Sequence, residues 1–459
     1  MSSVFEGKNI SSTIVKLGVP AMLGQLATLI YNLADTYFVS LTKSADQIAA
    51  VTLCVPVLLI IMSVACVFGM GVSSVIARQL GEGKKEDSAK CLNFCLYSIA
   101  LSGVLVLAAG LLVLKPAAYV IGADEGNLGY TCDYLKWIFV GAPFIMLSNG
   151  LTHSLRAVGL IKESTVGIAV GNGVNIVLDW LFIVIFHMGT AGAALATSIG
   201  FLCATVYYIG CLAREERSGN ELVTLSPGSF RPTKGMVRNV VVIGIPGALI
   251  TVMMSVSNIV LNNYIGIYGS DAVASYGIAY KIDMFPIMLS VGLSQGVAPL
   301  LGFYYGAGRG KRLEQAMRNS MVYGMILGGM FTVLFMVFSR GFASIFLYEE
   351  VLISQTAGFL RLLCFHAPLL GIINMVISYF QALGRAASSL AITVLRNVVL
   401  FIPGVMVLNY LWKLNGVILT QLVVEGVLTV ICLMMYRISS PGKLVSLKAS
   451  VGEEVKIAS

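Results

Sequence analysis

Apolar runs long enough to cross a bilayer recur twelve times along this chain. They lie at roughly residues 14 to 41, 48 to 77, 92 to 114, 128 to 152, 164 to 186, 191 to 212, 240 to 268, 273 to 304, 319 to 347, 352 to 381, 389 to 411 and 416 to 436. A hydrocarbon core about 30 Å thick takes about 20 apolar residues of helix. Lipid offers no partner to a free backbone N–H or C=O, so each run is confined to helix. The expected fold class is therefore an all-α integral membrane protein with twelve transmembrane helices. Only 11% of the residues are charged, against about 25% in soluble domains. The first run is too long for the core of a secretory signal and is expected to stay as the first span.

A net charge of +8 would suggest nucleic acid as the partner of a soluble chain. Here the positions of the basic residues decide otherwise. With the N-terminus inside, most of the 30 Lys and Arg fall on the cytoplasmic side, among them Lys8, Lys84, Lys85, Arg156, Arg214, Arg217, Arg231, Arg309, Lys311, Arg312, Arg396 and Arg437. The positive-inside rule then predicts that both termini are cytoplasmic. The partner this charge implies is a lipid bilayer, not nucleic acid. Nine cysteines lie scattered in apolar runs without the spacing of a zinc site or a disulfide framework.

The chain also repeats itself after about 225 residues. Leu17-Gly18-Val19-Pro20 opens the first span and Ile243-Gly244-Ile245-Pro246 the seventh. Gly81-Glu82-Gly83-Lys84 answers to Gly306-Ala307-Gly308-Arg309, and Pro143, Asn149, Ala157 and Gly159 answer to Pro368, Asn374, Ala382 and Gly384. Asn175 matches Asn397. The order and near-constant offset predict two pseudo-symmetric six-helix bundles, residues 1–213 and 238–438. A cytoplasmic linker at 214–237 joins them, and a cytoplasmic tail follows at 439–459.

Against this apolar background four acids stand inside spans: Asp35, Asp179, Asp283 and Glu425. A mid-membrane Asp costs about 2.5–3.5 kcal/mol on insertion scales, so it is kept where it meets a partner, a cavity or an ion. In the first span Tyr31 and Asp35 are one turn apart, with Asn32 beside them. In the fifth, Asn175 and Asp179 share a face by the same spacing, and Thr197 in the sixth adds a hydroxyl. Together they predict an oxygen-rich cage suited to a proton or a hard monovalent cation such as sodium. The matching positions of the second half, near Leu261 and at Phe401, are apolar, so the halves agree in fold and not in chemistry. The eighth span instead holds Lys281 and Asp283, which at i, i+2 do not face each other. Met254 and Tyr280 offer the thioether and aromatic faces that suit organic cations. His153, His187 and His366 show no ligand spacing and read as structural. No phosphate loop, nucleophile elbow or zinc motif is present, so an embedded enzyme is disfavoured and no cofactor is expected.

Taken together, the paired Gly-x-Pro openings, Tyr31-Asn32-Leu-Ala-Asp35, Gly81-x-Gly83, Gln381-Ala382-Leu383-Gly384 and Asn175-x-x-x-Asp179 resemble the multidrug and toxic compound extrusion (MATE) transporters over nearly the whole chain. The likeness is closest to the prokaryotic branch with its acidic cluster in the first lobe. The resemblance implies a V-shaped carrier in a prokaryotic plasma membrane, working as a single chain. It would export cationic or amphipathic drugs by alternating access, in exchange for protons or sodium. It further implies a coupling site at Asp35, Asn175, Asp179 and Thr197; by their own chemistry and position, Tyr31, Asn32, Asn149, Met254, Tyr280, Lys281 and Asp283 are expected toward substrate. Spans seven and ten, Thr251-Val-Met-Met254-Ser255 and Asn374-Met-Val-Ile-Ser378, lack the acids of the subgroup that binds sodium in its second lobe. The nearest rival reading is a flippase of lipid-linked precursors from the same superfamily.

Overall fold

A computed structural model of the protein describes residues 5–7, 9–42, 44–230 and 232–439. Lys8, Lys43, Arg231 and all of the expected tail but Ser439 lie outside the described residues, as do the side chains of Thr251 and Ser255.

The regular structure of the described residues is helical. The first half runs α1 (Ile10–Ser40), α2 (Ala45–Gly81), α3 (Lys85–Leu112), the short α4 (Leu114–Val120), α5 (Leu128–Ala157), α6 (Ile161–Asp179) and α7 (Gly189–Arg217). The second runs α8 (Lys234–Gly266), α9 (Ser270–Gly306), α10 (Gly310–Phe346), α11 (Glu350–Leu363), α12 (Ala367–Ala382), α13 (Ala386–Val394) and α14 (Phe401–Ile438).

Three junctions turn these helices into twelve passes. A 3₁₀ turn, Cys364–His366, joins α11 to α12 in one pass of 33 residues. A π turn, Leu395–Val399, joins α13 to α14 in a stretch of 53 residues. That is about 80 Å of helix at 1.5 Å per residue, far beyond one bilayer. The stretch is broken at Trp412 and at Lys413, whose backbone reaches φ 50°, ψ −135°, so it crosses twice. Several helices outrun their apolar stretches by a few polar residues. At α2, for instance, the Ser44 hydroxyl caps the first turn by accepting from the Gln47 amide, and Arg78 sits in the last turn against the helix dipole.

The chain forms two compact units. Among the described residues one is Leu23–Ala248, and the other combines those up to Met22 with those from Leu249 to Ser439. The handover falls two residues after Pro20 and two after Pro246, inside α1 and α8 and not in the linker. Within the first unit the opening of α8 lies against α2, with Gly71 beneath the Val240 carbonyl and Gly244 beneath the Val67 carbonyl. Within the second, α1 opens against α9 in the same manner. A Cβ on Gly296 would lie 2.6 Å from the Leu17 carbonyl oxygen, and one on Gly292 would lie 2.7 Å from the Met22 Cα. Gly71 and Gly296 stand in the repeat relation seen in the sequence, because each half needs the same backbone-to-backbone approach.

The linker is pinned to the first unit. Asn93 on α3 donates to the carbonyls of Thr224 and Ser226 at 2.9 and 3.1 Å, and the Tyr97 hydroxyl donates to that of Leu225 at 2.7 Å. Phe230 stacks on Phe94. In the second unit Leu261 and Phe401, the counterparts of Asp35 and Asp179, are buried in its hydrophobic core with Ile282, Leu360 and Val417.

Candidate functional site

Within the first unit α6 and α7 meet through glycines. A Cβ on Gly200 would stand 2.7 Å from the Gly171 carbonyl oxygen and 2.9 Å from the Asn175 Cβ. This close approach lets the Asn175 Nδ2 donate to the Thr197 Oγ1 at 3.3 Å. One turn on, α6 reaches Asp179 and passes into a second π turn, Trp180–Ile185, the kind of local widening often found beside functional residues. The α1 helix joins the group through Thr28, which accepts from Asn172 Nδ2 at 3.4 Å, and through the acid one turn beyond Tyr31.

Asp35 and Asp179 adjoin each other. Tyr31 stands beside both and beside Thr197. Asp179 is fully buried, and Asn175 and Thr197 are nearly so. Four buried oxygens, Asp35 Oδ1, Asn175 Oδ1 and both carboxyl oxygens of Asp179, have no donor among the described residues other than the two carboxyls themselves, which lie within hydrogen-bond reach of each other. Two adjoining carboxylates in a medium of low dielectric repel, and burial adds a desolvation penalty that falls most heavily on the fully buried Asp179. A bound proton relieves this by neutralising one carboxyl. A small hard cation does the same by taking oxygen ligands. The donor set fits either.

Sequence reading missed Tyr134 on α5. It is 5% exposed and lies close enough to Asp35, Tyr31 and Asp179 to feel their charge. A single aromatic residue on a buried helix carries no spacing signal, so only packing reveals it. The other expected residues are dispersed. Asn32 is exposed, and Asn149 donates its Nδ2 to Ile145 in its own helix at 2.8 Å. Met254, Tyr280, Lys281 and Asp283 belong to the second unit. There Tyr280 stacks on Tyr276 with ring centroids 5.9 Å apart, Lys281 is exposed and Asp283 is buried.

The partner of Asp283 is a histidine without any ligand spacing. His366 places Nε2 2.7 Å from Asp283 Oδ2 and Nδ1 2.9 Å from Glu425 Oε2. Glu425 in turn accepts from Arg396 Nη2 at 2.6 Å. Arg396, counted from the sequence with the cytoplasmic loops, sits instead in the π turn of the eleventh pass, where a buried carboxylate neutralises it. Arg156, counted with the same loops, is 1% exposed and donates through Nε to Ser164 Oγ at 3.2 Å.

The MatE family model matches residues 20–181 and again residues 246–407. The two matched segments begin at the paired prolines of the repeat. The multidrug export protein MepA of Staphylococcus haemolyticus (strain JCSC1435) is 29% identical over 423 residues, covering 92% of each chain. MepA of Staphylococcus aureus (strain MRSA252) is 29% identical over 425 residues with the same coverage. Among solved structures, a MATE crystallised in a straight conformation aligns at a TM-score of 0.90 and 25% identity, over 97% of this chain and 98% of that one. A MOP superfamily transporter from Pyrococcus furiosus Vc1 (DSM3638), described as having a binding pocket of reversed polarity, aligns at 0.87 and 25% with the same coverage.

Proposed function

The chain belongs to the MatE family of membrane transporters, and from that premise we propose that it is an antiporter exporting organic cations or amphipathic drugs in exchange for an inward proton or sodium ion. It is a transporter and not an enzyme. Drug export is carried over from the relatives named multidrug export protein. Ion coupling rests on one observation of this chain, the adjoining buried carboxyls of Asp35 and Asp179, which with Asn175 Oδ1 have no donor but each other.

In the proposed cycle the outward-facing carrier takes up the ion at Asp35 and Asp179, which removes their mutual repulsion and allows the end of α1 to settle against α6. Drug leaves in that state. The ion-loaded carrier then turns inward, releases the ion and binds drug again. An ion entering down about 100 mV contributes about 2.3 kcal/mol. By the tenfold-per-1.4-kcal/mol rule that sustains a gradient of between one and two decades for an uncharged drug, whereas one-for-one exchange with a monovalent cationic drug moves no net charge and is driven by the ion's concentration gradient. The carrier acts as a single chain in the plasma membrane, with both termini in the cytoplasm as the basic loops predict.

The test is efflux of a fluorescent organic cation from proteoliposomes, with pH and sodium gradients imposed separately, for the wild type, Asp35→Asn and Asp179→Asn. Efflux that follows one gradient and is lost in both variants supports the reading and identifies the ion. Efflux that survives in well-folded variants refutes the coupling assignment. Absence of efflux under either gradient in the folded wild type favours the lipid flippase.

A further inference from the structure

The second unit lacks the acids of the first at the matching positions, yet it buries a larger charged group elsewhere. His366 lies in the 3₁₀ turn between α11 and α12, and its side chain is fully buried. It stands between Asp283 of α9 and Glu425 of α14, and Glu425 is further held by Arg396 of the π turn and by Gln421 Nε2 at 2.6 Å. Asp283 Oδ1 is buried without a hydrogen-bond donor.

Proton counting fixes what this geometry requires. Each ring nitrogen is within hydrogen-bond distance of a carboxylate oxygen, and a carboxylate only accepts. Two protons must therefore occupy the two short contacts, either both on the ring or one on the ring and one on a carboxyl. With both in place, two anions face two cations and the group is neutral. With one removed, a ring lone pair meets a carboxylate oxygen at 2.7 or 2.9 Å and a net negative charge is left buried. The neighbouring groups do not compensate it. Tyr276 and Tyr280 lie beside Asp283, Cys364 lies on the turn itself, and Cys432 is near Arg396. From α10 comes the Thr332 hydroxyl, which donates to the Cys364 carbonyl at 2.7 Å. Arg361 of α11 is occupied by Ser339, to which its Nε donates at 2.8 Å.

We propose that His366, with Asp283 and Glu425, is a second proton-binding site of the carrier, separate from the acids of the first unit and loaded and emptied during transport. On release the N–H bond at Nδ1 breaks, its electron pair stays on nitrogen, and the proton passes to Glu425 Oε2 and then to water beside the half-buried Arg396. The consequence is mechanical as well as electrostatic. The proton at Nδ1 ties the junction of the tenth pass to α14, so its loss opens that contact while Nε2–H stays on Asp283 of α9 and Arg396 stays on Glu425. The assignment deepens the antiport reading and rests on it for the proton's place in the cycle.

Three histidines in the chain make a direct test possible. Full-length protein labelled with ¹⁵N-histidine in lipid bilayers gives three imidazole signals, and His153→Gln and His187→Gln assign His366 by elimination even if His366→Gln does not fold. Spectra are taken from about pH 5 to about pH 11, a window that covers the ordinary imidazole and one shifted by two carboxylate partners. They are recorded with and without tetraphenylphosphonium at a concentration shown to drive efflux. The expected result is reversible conversion of the His366 signal between doubly and singly protonated forms, at lower pH when the organic cation is bound. A signal fixed in one form throughout, or a conversion indifferent to the cation, overturns the proposal and leaves a structural ion pair. The same spectra on Asp35→Asn separate the two sites. If the acids of the first unit are not the coupling site, that variant keeps its efflux, and the His366 signal still reports on its own.

Discussion

Replacing Glu425 with leucine tests the charged group of the second unit at its most connected point. The carboxylate is fully buried and accepts from Arg396 at 2.6 Å, Gln421 at 2.6 Å and His366 at 2.9 Å. Leucine leaves all three donors without that acceptor. Removing one partner of a buried ion pair costs about 3–5 kcal/mol, because the remaining charge is stranded in low dielectric. The Arg396 side chain is 18% exposed and can recover part of its hydration, which places the expected loss near about 3 kcal/mol. A second substitution, Arg396→Met, removes the stranded cation. The double variant is then expected to recover about 2 kcal/mol of that loss, since buried pairs exchanged for apolar side chains are often neutral. The assay is reversible unfolding of the purified protein in mixed micelles, followed by tryptophan fluorescence, for the wild type, each single variant and the double. A single Glu425→Leu variant within about 1 kcal/mol of wild type refutes the reasoning, and so does a double variant as unstable as the two singles added.

Further outcomes follow from the same packing. Gly296→Leu forces a side chain into the Leu17 carbonyl, 2.6 Å from where its Cβ would lie. It should cost at least about 1–3 kcal/mol and sharply lower the yield of folded protein, read by size-exclusion chromatography. Thr197→Val removes the acceptor of the Asn175 amide and should cost about 1–3 kcal/mol of stability. It should also weaken ion-driven efflux, whereas Thr197→Ser preserves both. Tyr134→Phe takes a hydroxyl from beside Asp35 and Asp179 and should move the pH or sodium dependence of efflux while leaving the fold intact by circular dichroism. Asn93→Ala frees the linker carbonyls of Thr224 and Ser226, so limited proteolysis should cut faster between Ser218 and Thr233.

The sequence by itself determined the twelve helices and the repeat that relates them, and it marked Asp35, Asn175, Asp179 and Thr197 as candidates. These are properties that local rules impose. A bilayer accepts only helix, a repeat advertises itself by offset, and a carboxylate in an apolar run is conspicuous because it is costly. Tertiary structure decided what depends on neighbours distant in the chain. It handed the opening of α1 to the second unit and the opening of α8 to the first, through glycine contacts that no helical period reveals. It brought Tyr134 near the acids, and it pinned the linker at 214–237 to α3. It turned a histidine with no ligand spacing into the centre of a buried charged group, because Asp283, His366, Arg396 and Glu425 lie on four elements, and only their packing brings them within hydrogen-bond reach.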